Sequence, residues 1–146
     1  MDDNCNKSIL LVEDNLGHAE LIIRAIHDNK ICNGVHHVLD GSDALDYLYH
    51  QGRFTDTDQY PHPDLILMDL RLPKVNGLEV LKQIKEHVPT HFIPVVVLTT
   101  SEADKDIAQA YHYHANSYIV KPMDFGQFRQ VMQHVCDYWL KMNRIP

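Results

Sequence analysis

Five residues stand at the ends of four apolar runs, and their types suit a phosphoryl group and a hard metal ion. Glu13 and Asp14 follow Ile9-Leu10-Leu11-Val12, Asp69 follows Leu65-Ile66-Leu67-Met68, Thr99 follows Val95-Val96-Val97-Leu98, and Lys121 follows Tyr118-Ile119-Val120. Three carboxylates brought together repel one another, and a divalent cation relieves that repulsion. Mg2+ prefers a few carboxylates plus water and phosphate oxygens to a closed protein cage. A lysine ammonium and a threonine hydroxyl both suit the oxygens of an incoming phosphoryl group. Asp69 could then be a nucleophile that becomes an aspartyl phosphate, while the metal and Lys121 neutralise the charge in transfer. Taken singly, each residue has a plainer reading as a solvated turn, a cap, a strand residue or a surface charge. Their joint placement favours the chemical one.

The five residues meet only if the runs are neighbouring parallel strands, because ligands of open parallel sheets bind beyond the carboxyl ends of the strands. Segments with helical periodicity alternate with the runs, which argues for an α/β domain whose parallel sheet is covered on both faces. Asn15 can cap a first helix over residues 16 to 29 with Ala19, Ile22, Ile23 and Ile26 on its apolar face, followed by a loop through Asn33-Gly34. Val35-His36-His37-Val38-Leu39 reads as a second strand that ends in no functional cluster. Asp40-Gly41-Ser42-Asp43 then opens a second helix through Ala44, Leu45 and Leu48. The polar stretch 51–63, with Gly52, Pro61 and Pro63, reads as a loop long enough to suggest a partner contact. A third helix from Gly77 carries Val80, Leu81, Ile84 and Val88 inward until Pro89 stops it, and Ser101 with Asp104 resembles a capping pair for a fourth. Phe125, Phe128, Met132, Val135 and Trp139 describe the buried stripe of a long fifth helix.

At 146 residues and 45% hydrophobic composition the chain suits one domain with a proper core. Thirteen basic against twenty acidic residues give a formal charge of −7, which repels phosphate backbones and argues against nucleic-acid binding. The polar start shows no signal-peptide core, and no run approaches the roughly 20 apolar residues of a membrane span. A cytoplasmic protein without membrane contact is expected. Cys5, Cys32 and Cys136 lack Cys-x-x-Cys spacing, which fits reduced thiols rather than disulfides or zinc, and the eleven histidines read as scattered surface residues.

Ile9-Leu10-Leu11-Val12-Glu13-Asp14-Asn15, Leu67-Met68-Asp69-Leu70-Arg71-Leu72-Pro73, Leu98-Thr99-Thr100 and Lys121-Pro122, at these intervals, make the whole chain resemble a response-regulator receiver domain of two-component signalling. The resemblance implies a doubly wound, flavodoxin-like sheet of five parallel strands in the order 2-1-3-4-5. It implies one receiver domain over residues 1–146, with its core at about 8–143 and no output domain. Asp69 would accept phosphate from a histidine kinase, Glu13, Asp14, Asp69 and the backbone carbonyl of Arg71 would bind Mg2+, and Lys121 would contact the phosphoryl group. Thr99 would follow the phosphoryl oxygen, with the Thr100 backbone beside it, and Tyr118 would change rotamer to carry the signal outward. The Lys121–Pro122 bond would be cis, which is plausible for an X-Pro amide.

The loop 51–63 and the ending from Tyr138-Trp139-Leu140 to Ile145-Pro146 look most similar to small response regulators that serve cyanobacterial and other bacterial phytochromes, implying such a kinase as partner. A homodimer through the fourth helix, fifth strand and fifth helix is expected from the family and from Tyr111, Tyr113, Phe125 and Phe128. The sequence departs from the family at Asn76-Gly77, where Asp-Gly is frequent, and at Thr100, where a smaller residue is common. An aspartate-nucleophile phosphatase would need a second acid two residues after Asp69, where Arg71 stands. A phosphorylation-independent scaffold is the other alternative, against which the intact acidic cluster argues. A dinucleotide site is disfavoured because Glu13-Asp14-Asn15-Leu16-Gly17 lacks the glycine spacing that pyrophosphate requires.

Overall fold

The computed structural model describes residues 7–28 and 34–146. Cys5, Cys32, Asn29 and the turn at Asn33 lie outside the described residues. Strands β1 (Ser8–Val12), β2 (Gly34–Val38), β3 (Leu65–Met68), β4 (Val95–Thr99) and β5 (Ser117–Val120) alternate with helices α1 (Leu16–Asp28), α2 (Gly41–Tyr49), α3 (Gly77–Glu86), α4 (Asp104–His112) and α5 (Phe125–Cys136). The sheet order is β2-β1-β3-β4-β5 and every pair is parallel, as the resemblance implied. Among the described residues, no helix is long and apolar enough to cross a membrane.

Strands β1, β3 and β4 are buried at every position, because helices cover both sides and leave no solvated face to be polar. Leu10, Val12, Ile66, Met68, Val95 and Val97 point to one side, against Ala44, Tyr47 and Leu48 of α2 and Val80, Leu81 and Ile84 of α3. Ile9, Leu11, Leu65, Leu67, Val96 and Leu98 point to the other, against Ala19, Ile22 and Ile26 of α1 and Phe128, Met132 and Val135 of α5. Burying each such side chain contributes roughly 1.5–3 kcal/mol. The register sets Val12 opposite Met68, Met68 opposite Val97, and Thr99 opposite Val120, so Glu13, Asp69, Thr99 and Lys121 emerge along one edge.

Helices α1, α2, α3 and α5 begin at short oxygen-bearing side chains that accept free first-turn N–H groups. Asp40 accepts from Asp43 N at 2.7 Å, Asn76 from Glu79 N at 3.0 Å, and Asp124 from Gln127 N at 2.9 Å. Asn76 therefore supplies through its amide oxygen the cap that an aspartate would give.

The loop 51–63 is polar in composition but anchored by aromatic residues. Phe54, in a short 3-10 turn over Gly52–Phe54, is buried, and its ring lies 5.2 Å from that of Tyr47 and 5.0 Å from that of Tyr60. Tyr47 donates its hydroxyl to Pro61 O at 2.8 Å.

Four local expectations are corrected. Val88 is 74% exposed: α3 ends at Glu86, and the 3-10 turn Val88–Thr90 rotates Val88 outward and buries Thr90, whose hydroxyl donates to Ile84 O at 2.8 Å. The second strand starts one residue early and leaves Leu39 exposed. The stripe of α5 is Phe128, Met132, Val135 and Cys136, with Phe125 and Trp139 half-buried. The wider π-helical turn Asp137–Met142 shifts the phase and puts Leu140 inside. Ser101 pairs with Asp106 rather than Asp104: its Oγ donates to Asp106 Oδ2 at 2.5 Å and accepts Ala103 N at 3.2 Å, ahead of a helix that starts at Asp104.

Candidate functional site

Beyond the carboxyl ends of β1, β3 and β5, three charged side chains are buried together. Glu13, Asp69 and Lys121 are 1%, 8% and 8% exposed, so they must pair with one another or with the backbone. Lys121 Nζ donates to Glu13 Oε1 at 2.6 Å and to Asp69 Oδ2 at 3.1 Å. The remaining carboxylate oxygens turn to the backbone: Asp69 Oδ1 accepts Arg71 N at 3.2 Å and Glu13 Oε2 accepts Asn15 N at 3.1 Å. The two acids and one ammonium carry a local excess of one negative charge.

Lys121 is aimed by the sheet. Its backbone N donates to Thr99 O at 2.7 Å, continuing the ladder one residue past β5, and its side chain then reaches across β4 toward β3 and β1. The Lys121–Pro122 bond is trans, since the described residues hold no cis peptide bond. The ladder contact and the two ion pairs orient the side chain, so the expected cis geometry is not what aims it.

The third N–H of the ammonium goes to His18, whose Nδ1 lies 2.9 Å from Nζ. An ammonium has no lone pair, so Nδ1 must be the acceptor and the ring proton must sit on Nε2. Sequence reading missed this residue among many histidines. The available signal was its place in the first turn of a helix that begins beside the acid pair, where Asn15 Oδ1 accepts His18 N at 3.0 Å. Long-range 1H–15N correlation spectra should place the ring proton of His18 on Nε2, and a protonated Nδ1 would contradict the contact.

Thr99 is buried, and its Oγ1 accepts Ser101 N at 3.4 Å. Tyr118 is half-buried against the core and donates its hydroxyl to Ser101 O at 3.0 Å. Burial pushes its phenol above the usual range, so this donor stays protonated at neutral pH. Thr100 is exposed and shares an opening with His18, Lys121 and Met123. Asp14 is exposed and lines a different cavity with Arg71, Asn76 and Asp106. Two separate cavities therefore border the candidate residues, one at Lys121 and Thr100 and one at Asp14 and Arg71.

The expected cluster of three metal-binding acids is not closed. Among the described residues no three His, Cys, Asp or Glu side chains are grouped to hold a metal ion, and both oxygens of Glu13, like both of Asp69, accept hydrogen bonds. Glu13, Asp14, Asp69 and the Arg71 carbonyl are hard oxygen donors, which suits Mg2+, an ion bound through one or two carboxylates with several retained waters. Glu13 Oε1 also holds the Lys121 ammonium at 2.6 Å.

Gly77 fixes the loop behind Asp69. A Cβ there would lie 2.5 Å from Asp69 O and 2.6 Å from Leu70 Cα, and its N–H donates to Leu70 O at 2.9 Å. The start of α3 thus lies directly against the backbone that carries the acid.

Residues 9–133 match the family model of the response regulator receiver domain. The probable methanogenesis regulatory protein FilR2 of Methanothrix harundinacea is 46% identical over 139 residues, which are 94% of this chain and 86% of that protein. Response regulator Rcp1 of Synechocystis is 36% identical over 148 residues, covering 100% of this chain and 99% of its own. The Mn(2+)-bound form of response regulator Rcp1 superposes with a TM-score of 0.85 at 36% identity over 96% of this chain and 99% of that one. The phosphorylated cyanobacterial phytochrome response regulator RcpA superposes with a TM-score of 0.89 at 39% identity, over 96% of this chain and 98% of its own. With the acids, lysine and hydroxyl assembled on a 2-1-3-4-5 sheet and the family model spanning most of the sequence, this chain belongs to the response regulator receiver domain family.

Proposed function

We propose that Asp69 is the phosphoacceptor, taking a phosphoryl group from a histidine kinase in a Mg2+-dependent reaction, and that the phosphorylated state changes the protein's contacts. The observation that carries this reading is the placement of Asp69: buried at the sheet edge, in contact with the Lys121 ammonium at 3.1 Å, and joined through Arg71 to a cavity that Asp14 also lines. A carboxylate oxygen attacks phosphorus as the donor's N–P bond breaks, and Lys121 neutralises the charge arriving on the phosphoryl oxygens. Mg2+ held by Glu13, Asp14, Asp69 and the Arg71 carbonyl would supply the second positive charge on those oxygens. Glu13 keeps the ammonium in place throughout.

Thr99 and Tyr118 form the switch, with the Thr100 backbone beside the phosphoryl group. Thr99 Oγ1 holds Ser101 N, and Tyr118 holds Ser101 O, so a hydroxyl drawn toward a phosphoryl oxygen would loosen the same residue that Tyr118 grips. Similarity to Rcp1 and RcpA supports a phytochrome-type kinase as donor. A homodimer through α4, β5 and α5 would use Tyr111, which is 49% exposed, and not Phe128, which is 5% exposed. The protein would act as a cytoplasmic binding switch and not as an enzyme on other substrates, because Arg71 occupies the place where a phosphatase needs its acid.

Acetyl phosphate with Mg2+ should add one phosphoryl mass to the wild type and none to Asp69→Asn, read by intact-protein mass spectrometry. An unmodified wild type under conditions that label a control receiver would reject the proposal.

A further inference from the structure

Two residues after Asp69, the Arg71 guanidinium leaves the acid and turns to α4. Its Nη2 donates to Asp106 Oδ2 at 3.2 Å, with the arginine side chain 73% exposed and the aspartate 20%. The same Oδ2 takes the Ser101 hydroxyl at 2.5 Å. Both donors hold the Asp106 carboxyl below its usual range, the Ser101 bond most and the Arg71 bond next, so it is ionised at neutral pH. Arg71, Asp106 and Asp14 line one cavity, and the backbone N of Arg71 donates to Asp69 Oδ1 at 3.2 Å. The guanidinium is thus tethered beside the acceptor at one end and drawn away from it at the other.

We propose that Asp106 is a positioning residue that holds the Arg71 guanidinium off the phosphoryl site and so limits how long the phosphoryl group survives. The proposal rests on Asp69 being the phosphoacceptor. Phosphorylation sets up a contest for one cation: Asp106 offers a single negative charge, whereas a phosphoryl group carries about −1.5 to −2 and oxygens that pair with both prongs of a guanidinium. Arg71 can cross by rotating its own side-chain torsions, since its backbone is already bonded to Asp69.

Where the cation sits decides hydrolysis. In that step a water oxygen bonds to phosphorus, the bond from phosphorus to the Asp69 oxygen breaks, the water proton leaves with inorganic phosphate, and the Asp69 carboxylate is restored. An Arg71 held at Asp106 leaves the cavity open to that water. An Arg71 over the phosphoryl group pairs with its ground-state charge and occupies the approach. Because Oδ2 of Asp106 also anchors Ser101, a crossing Arg71 leaves the start of α4 with a rearranged contact.

The test measures phosphoryl lifetime after acetyl phosphate is removed at constant Mg2+, for wild type, Asp106→Asn, Arg71→Ala and the double variant. Asp106→Asn keeps an acceptor for Ser101 but loses the charge that holds Arg71, and it should retain the phosphoryl group several-fold longer. Asp106→Glu, which keeps the charge, should return the lifetime toward wild type. In the Arg71→Ala background the aspartate substitution should change nothing, and Arg71→Ala alone should decay at least as fast as wild type. Independently of turnover, the Arg71 Nε–H resonance should move when beryllofluoride and Mg2+ are added to the wild type. Equal or faster decay in Asp106→Asn, the same gain without Arg71, slower decay in Arg71→Ala, or a stationary Arg71 resonance would overturn the proposal. Absence of label in all the chains would instead refute the phosphoacceptor reading, and this inference with it.

Discussion

Gly77→Ala is expected to lose stability and phosphorylation together, although it adds only one methyl group, at a buried helix start. The added carbon would lie 2.5 Å from Asp69 O, 2.6 Å from Leu70 Cα and 2.8 Å from Leu70 O. All three are backbone atoms, so no rotamer change can make room. Either α3 lifts off, losing the Gly77 N to Leu70 O bond and part of the packing of Val80 and Leu81, or the segment after Asp69 moves. Overpacking of this kind costs roughly 1–3 kcal/mol where side chains can yield, and a rigid backbone puts this site at or above the upper end. Urea unfolding should show a lower midpoint with an unchanged slope, and acetyl phosphate labelling should slow even where the variant is fully folded. A variant with wild-type midpoint and labelling would show that the start of α3 has slack.

Lys121→Met should be the other severe change, for an electrostatic reason. The lysine and glutamate side chains are 4% and 2% exposed, and the aspartate side chain is 11% exposed. Methionine fills similar volume but leaves two buried carboxylates facing each other without their shared cation. Breaking a buried pair from one side costs about 3–5 kcal/mol. Two outcomes separate this cause from lost packing. Mg2+ should recover more stability in Lys121→Met than in wild type, because a divalent cation can stand in for the missing charge, and adding Glu13→Gln should recover part of the loss without metal. Equal stability of Lys121→Met and wild type in metal-free urea titrations would contradict the buried-charge account. Labelling should fall sharply in the variant, with or without restored stability, since no other side-chain ammonium is shown in contact with Asp69.

The central strands were legible because burial on both faces writes an unbroken apolar run ending in a polar residue, whereas the order of the strands was implied by the family resemblance. The corrections fall where several local solutions satisfy the same pattern. Val88 continues the spacing of α3, but Pro89 forces a turn and turns it out. Trp139 continues the spacing of α5, but the π-helical turn after Cys136 hands its place to Leu140. Ser101 can pair with several following residues, and Asp106, which it takes, is also bonded to Arg71, 35 residues away in sequence and adjacent in space. His18 was illegible for the same reason: the ammonium that gives it meaning comes from a strand 103 residues later. The loop 51–63 looked like surface because its polar residues outnumber its aromatic ones, yet Phe54 and Tyr60 set its conformation.

The parallel register has a consequence for quality control. Side chains alternate faces along a strand, so a slip of one residue in β1, β3 or β5 exchanges a charged group for an apolar neighbour at the sheet edge and drives the charge into the core. Glu13, Asp69 and Lys121 come from three strands separated by as many as 108 residues, and their ion pairs close only when all three are in register. A chain with a slipped strand therefore has no acceptor site for a kinase to modify. If Asp69 is the phosphoacceptor, as proposed, competence to be phosphorylated requires the same register that folding does.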